Sequence, residues 1–148
     1  MVYNAGSPKI VVFQASGTIL KGQALQLGTP TTQANPVPSL DISRPIPTVV
    51  ACALSEPQSF IGIAMNAASS GEAVNVCIEG VCDGYVDAST DPTAGMRLSI
   101  AASAGELGEA STTTAQAVCM AVEAATTTAD GVPLCAVYIP PHIIGIGI

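Results

Sequence analysis

Residues 60–88 read F-I-G-I-A-M-N-A-A-S-S-G-E-A-V-N-V-C-I-E-G-V-C-D-G-Y-V-D-A, and the first half of this stretch recurs later in the chain. A shift of 57 positions lays residues 62–68 (G-I-A-M-N-A-A) over residues 119–125 (C-M-A-V-E-A-A), matching Ala64, Ala67 and Ala68 with Ala121, Ala124 and Ala125. Each copy runs into a glycine-bearing turn and then a strand. A shift of 60 aligns Gly71, Val74, Val76 and Ile78 with Gly131, Leu134, Ala136 and Tyr138, which makes the second turn three residues longer. A shorter echo pairs Gly22-x-x-Leu25-x-Leu27 with Gly95-x-x-Leu98-x-Ile100. A solenoid needs about three or more repeats to be stable. Two copies therefore predict one internally duplicated β domain over residues 1–148.

The rest of the chain points the same way. Residues 10–13 (I-V-V-F), 23–27, 49–54 and 60–65 have strand character, and along 74–78 the residues Val74, Val76 and Ile78 alternate with Asn75, Cys77 and Glu79. Turn signals recur about every ten residues, at Asp83-Gly84, Ser89-Thr90-Asp91-Pro92, Ala104-Gly105 and Asp130-Gly131. This punctuation predicts an all-β chain with little helix, an antiparallel β-sandwich or barrel-like domain. Alanine-rich residues 117–125 suit a helix in isolation, but their equivalence to Gly62 and the β-branched Ile63 assigns them to a strand.

Two segments break the texture. Residues 29–48 hold five prolines, Pro30, Pro36, Pro38, Pro45 and Pro47, which removes ladder donors and favours extended backbone. The segment reads either as a surface insertion or as an arm lying on a neighbouring subunit. After Pro140-Pro141 the tail alternates Ile144, Ile146 and Ile148 with glycine. It suits a strand that closes the domain's own sheet or one that adds to another chain. Residues 132–148 carry no formal charge, but they are shorter than the roughly 20 residues of a membrane span and are broken by prolines, which excludes a span.

Charge excludes more. Four Lys+Arg against eleven Asp+Glu give a net charge of -7, and nucleic-acid binding rests on basic groups that displace counterions from phosphates. Charged residues are 10% of the chain and apolar ones 49%, against about 25% charged in an ordinary domain. A surface this poor in charge implies either Ser, Thr, Asn and Gln as solubilising groups or cover by copies of itself or a partner. The N-terminus lacks the basic start and apolar run of a secretory signal, and the odd cysteine count fits reduced thiols in a cytoplasmically made protein.

Reacting groups are sparse. His142 is the only histidine and sits in P-P-H-I-I, suited to ordering a tail. The hydrolase, zincin and nucleotide fingerprints are missing, so the chain is expected to be no enzyme. Cys77 and Cys82 form a zinc knuckle without a second half, and Asp83, Asp87 and Asp91 lack an EF-hand pattern. Buried thiols and turn chemistry account for them, and no metal or cofactor is expected.

The run G-I-A-M-N-A-A-S-S-G-E-A-V-N-V-C-I-E-G-V, preceded by K-G-Q-A-L-Q-L at 21–27, resembles the capsid decoration or cement proteins of tailed bacteriophages. In that family a G-V-A-type strand leads through a Gly-Glu turn to V-x-V-x-x-x-G. The counterparts here are Gly62-Ile63-Ala64, Gly71-Glu72 and Val74-x-Val76-x-x-x-Gly80, and the likeness continues through T-A-G-M-R-L at 93–98. The Pro-rich segment and the tail after Pro140 stand outside the family pattern. The resemblance implies a structural virion protein on the outer capsid surface, synthesised in the host cytoplasm. Its partners would be the phage major capsid protein and itself, as a homotrimer or a dimer, with no nucleic acid and no membrane. It would stabilise the head by bridging capsomers, with Pro36, Pro38, Pro45, Pro47, Ile144, Ile146 and Ile148 as the expected contacts to neighbour or shell. A virion-surface host- or glycan-binding module is the alternative; the few aromatics, set mostly in apolar runs, argue against sugar stacking.

Overall fold

The computed structural model describes residues 7–33, 44–110, 116–129 and 131–141. Twelve strands follow in chain order: β1 (Lys9–Ala15), β2 (Ala24–Leu27), β3 (Thr31–Gln33), β4 (Arg44–Ile46), β5 (Thr48–Ala51), β6 (Phe60–Ala64), β7 (Ala73–Tyr85), β8 (Arg97–Ile100), β9 (Leu107–Glu109), β10 (Cys119–Ala121), β11 (Thr126–Thr127) and β12 (Pro133–Ile139). A 3-10 turn at Pro57–Ser59 precedes β6. Among the described residues no helix is long and apolar enough to cross a membrane. The expected all-β architecture is present, in barrel form.

The main sheet runs β1-β5-β2-β6-β7-β12-β10-β8-β9, and β1 also pairs with β7, closing β1, β5, β2, β6 and β7 into a five-stranded ring. β7 is 13 residues long and serves twice. Its residues 73–79 pair with β1 and β6, while residues 80–85 pair with β12. Beyond β7, Val86 bridges Leu107 of β9 in parallel. The second half of β7 with β12, β10, β8 and β9 thus closes a second ring of the same order, matching the parallel β1–β5 pair of the first.

The duplication extends to the hydrogen bonds. Gly22 N–H donates to the Ala64 carbonyl at 2.8 Å and Gly95 N–H to the Ala121 carbonyl at 2.8 Å. Ala64 and Ala121 donate to the carbonyls of Gln23 and Met96, and Ser16 and Asp87 donate to those of Val49 and Leu107. The repeat seen in β6 and β10 holds residue for residue. The alignment of the next strand does not. Ile63 and Ala64 lie opposite Cys77 and Val76, and Met120 and Ala121 lie opposite Tyr138 and Val137. Val74, Val76 and Ile78 therefore correspond to Cys135, Val137 and Ile139, one residue beyond the sequence alignment. A one-residue slip turns every side chain to the other face, and burial follows the structural register: Cys135, Val137 and Ile139 are buried while Leu134, Ala136 and Tyr138 are half-buried.

In the first barrel the core is Ala15, Ile19, Leu25, Val49, Ala64, Ala68, Val74 and Val76. The second barrel supplies Val86, Leu98, Leu107, Ala121, Cys135 and Val137 at matching places, with Ala125 packed alongside. This second cluster continues into the seam between barrels through Ala24, Cys52, Phe60, Ile63 and Cys77. Aliphatic side chains carry the burial, as the near-absence of aromatics requires. The buried hydroxyls are satisfied: Thr48 Oγ1 donates to the Thr29 carbonyl and Ser99 Oγ to the Gln116 carbonyl, each at 2.7 Å.

All five cysteines are free and buried. Burial pushes the Cys52 thiol up to about 11, with the Glu56 carboxylate adding to the effect. Burial also raises Cys119 and Cys135, and a hydrogen bond with Cys77, together with burial, raises Cys82. Cys77 differs in direction, since its hydrogen bond with Cys82 lowers it; all five are buried and act as small core residues.

The two barrels give paired tests. Gly22 and Gly95 occupy the same turn with φ of +88° and +87°, a conformation that disfavours side chains by about 1–2 kcal/mol. A Cβ at Gly95 meets nothing within 4 Å, whereas one at Gly22 would lie 2.8 Å from the Tyr85 nitrogen, which donates to the Gly22 carbonyl. Gly95→Ala should lower the unfolding free energy in urea by about 1 kcal/mol, and Gly22→Ala by a further ~1–3 kcal/mol from overpacking; equal losses would contradict the welded seam. At pH 8 the native protein should leave a thiol-reactive dye unconsumed over minutes, and guanidinium should release all five thiols.

Candidate functional site

No catalytic constellation forms from the described residues. Asp83 Oδ2 lies 3.4 Å from Lys21 Nζ, and the Asp87 carboxylate accepts from Ser89 N–H at 2.7 Å and Ser89 Oγ at 2.8 Å. Those Ser89 bonds hold the exposed Asp87 carboxyl below its ordinary value. The arrangement is a turn closed by its own aspartate. Among the described residues no group of three His, Cys, Asp or Glu side chains is placed to hold a metal ion. A cleft of about 310 Å³ is lined by Lys21, Met65, Val81, Cys82 and Asp83. Its two charged residues pair with each other, and its thiol is the raised Cys82. His142 lies outside the described residues.

The surface is more informative. The Pro-rich segment, expected to have no secondary structure, begins and ends as a hairpin: Thr31, Thr32 and Gln33 pair with Ile46, Pro45 and Arg44. Pro45 is tolerated because this two-stranded ribbon stands apart from the main sheet, where a missing N–H breaks no interior ladder. The hairpin is tied to the barrel at its base. Thr31 Oγ1 donates to Gln14 Oε1 at 2.7 Å, and Gln14 N–H donates to the Pro47 carbonyl at 3.3 Å. Pro45 and Pro47 are exposed on this base. Pro36, Pro38, Ile144, Ile146 and Ile148 lie outside the described residues.

Residues not anticipated as contacts dominate the exposed apolar surface: Ile10, Val11, Val12, Leu20, Leu27, Leu54, Met120 and Val122. The signal for the first three was available. I-V-V-F on β1 is apolar at every position, so both faces of that strand call for cover. Its own barrel provides little, leaving Ile10, Val11 and Val12 exposed.

Comparison with known proteins extends this picture. A search of curated protein sequences finds no significant match. Among solved structures, the crystal structure of the N base of head fiber gp8.5 from bacteriophage phi29 superposes with a TM-score of 0.57 at 14% identity, covering 90% of this chain and 94% of that one. That likeness is one of fold. The family model described as phage cement protein matches residues 7–139, which takes in both barrels and the arm. The chain belongs to the phage cement protein family.

Proposed function

We propose that the protein decorates the outer surface of an icosahedral phage head as a homo-oligomer, a trimer in the simplest case, and stabilises the head by bridging capsomers. The family match over residues 7–139 carries the reading: a phage cement protein has a structural role on the capsid. The residues agree with that role. The body offers paired charges, buried thiols and exposed aliphatic side chains, which suit adhesion by area and not turnover of a substrate. Its acidic balance keeps it off packaged DNA.

Bridging also explains why weak contacts suffice. Once one point of an oligomer is bound, the next contact forms at high effective concentration, so modest contacts multiply into tight attachment. The Pro-rich arm and the C-terminal tail are the proposed reaching elements, with the β3–β4 hairpin as a stiff base on which the arm stands.

Mixing the purified protein with undecorated shells should add symmetric density by electron microscopy; shells left bare at saturating protein would end the reading. A variant with residues 34–43 replaced by a short Gly-Ser linker keeps the hairpin and should unfold close to the parent temperature. We expect it to lose about tenfold or more in shell affinity. Removal of residues 142–148 should act in the same direction. Parental occupancy by both variants would remove arm and tail from the attachment.

A further inference from the structure

The two barrels meet in an asymmetric way. The first barrel presents a row of outward side chains across four of its strands and the segment after β5: Ile10, Cys77, Ile63, Ala24 and Cys52, neighbours by strand pairing and the Cys52 N–H to Ala24 carbonyl bond. The last four are wholly buried. What covers them is the end of the second barrel, where Cys82, Ile100, Val118 and Ile139 join the same cluster. The β8–β9 turn completes the joint: Ala24 N–H donates to the Gly105 carbonyl at 2.8 Å and Gly105 N–H to the Cys52 carbonyl at 2.9 Å. The end of one barrel sits on the side of the other.

Because the barrels are copies, each has both surfaces, and among the described residues one of each remains open. The second barrel's side row, matched through the strand registers above, is Val81, Tyr138, Met120, Arg97 and Ala110. Met120 is 40% exposed here, where its counterpart Ile63 is 0%. The first barrel's end is Val11, Leu27, Ile61 and Ile78, the counterparts of Cys82, Ile100, Val118 and Ile139. Leu27 is 58% exposed against 4% for Ile100, and Val11 39% against 8% for Cys82. In place of the covering turn the first barrel carries the β3–β4 hairpin.

From this equivalence we infer that a second copy of the chain docks head to tail, the open first-barrel end of one molecule (Val11, Leu27, Ile61, Ile78) stacking on the open second-barrel side (Val81, Tyr138, Met120, Arg97) of the next. The occupant is a second copy because the joint already exists within the chain: the same backbone surfaces meet between the two barrels and bury Cys77, Ile63, Ala24 and Cys52 of the side row against Cys82, Ile100, Val118 and Ile139 of the end. The contact pairs unlike faces, so it closes into a ring or grows as a filament depending on the rotation between units. Arg97 stands where Ala24 stands in the internal joint, so the intermolecular version carries a cation at its centre. This deepens the homo-oligomer part of the function proposed above and is tested without any shell.

Leu27→Asp and Met120→Asp each place a charge in one of the two open faces, at side chains exposed in the single chain. The parent should show a light-scattering mass that is a multiple of 14.7 kDa. Each variant alone should run as a monomer, because every contact needs one face of each kind. Mixed one to one, they should form a dimer that stops at two, joined by the single intact pair of faces. Far-UV circular dichroism and thermal melts check folding, and Leu27→Ser with Met120→Ser carries the same test should an Asp variant melt early. A monomeric parent at high micromolar concentration, a variant that keeps the parental mass, or a mixture that stays monomeric overturns the inference. So does a Met120→Asp protein that keeps its mass but loses shell occupancy, which would give the row to the shell protein.

Discussion

One strand belongs to two closed rings. Residues 73–79 of β7 complete the first barrel and residues 80–85 open the second, so neither ring can form its ladder without fixing the path of the other. The strand is continuous backbone, with Gly80 at the point of transfer. Sharing it removes the freedom a linker would allow and sets the second barrel's end against the first barrel's side. The seam cluster of Ala24, Ile63, Cys77, Cys82, Val118 and Ile139 follows from that placement. Burial at this seam makes the two copies one body.

Closure also explains how a charge-poor β protein avoids sticking by its strand edges. A ring leaves few unpaired ladder groups, and the remaining ones at the first barrel are flanked by the β3–β4 hairpin. Apolar exposure among the described residues then lies in side chains such as Ile10, Leu27 and Met120. A structural capsid protein calls for rigidity and for surfaces that repeat. The described residues offer these: two aliphatic cores, satisfied buried hydroxyls and paired surface charges.

Much of this was legible from residues alone, and the failures have physical causes. Ala64 with Ala121, and Leu25 with Leu98, were matched correctly because small or large residues at those places are demanded by ring closure. The step to β12 was misaligned by one residue because Leu134-Cys135-Ala136-Val137-Tyr138-Ile139 is apolar at every position. Such a run has no alternation to distinguish its two faces, and only pairing with β7 and β10 selects Cys135, Val137 and Ile139 for the interior. The Pro-rich segment misled in the other direction. Its prolines argue against a ladder, yet a detached ribbon tolerates Pro45 where a central strand would not. The exposure of Met120, Leu27 and Val11 is not legible in the sequence, because an exposed apolar strand residue looks like a core residue in one dimension.

By itself the sequence determined the β class, the duplication and the reliance on aliphatic burial, since these depend on composition and on local spacing. The tertiary structure alone decided the register of β12, the sharing of β7 and the stacking of a barrel end on a barrel side. Those features come from pairings between residues far apart in the chain, and several registers satisfy the same local pattern until the rings close.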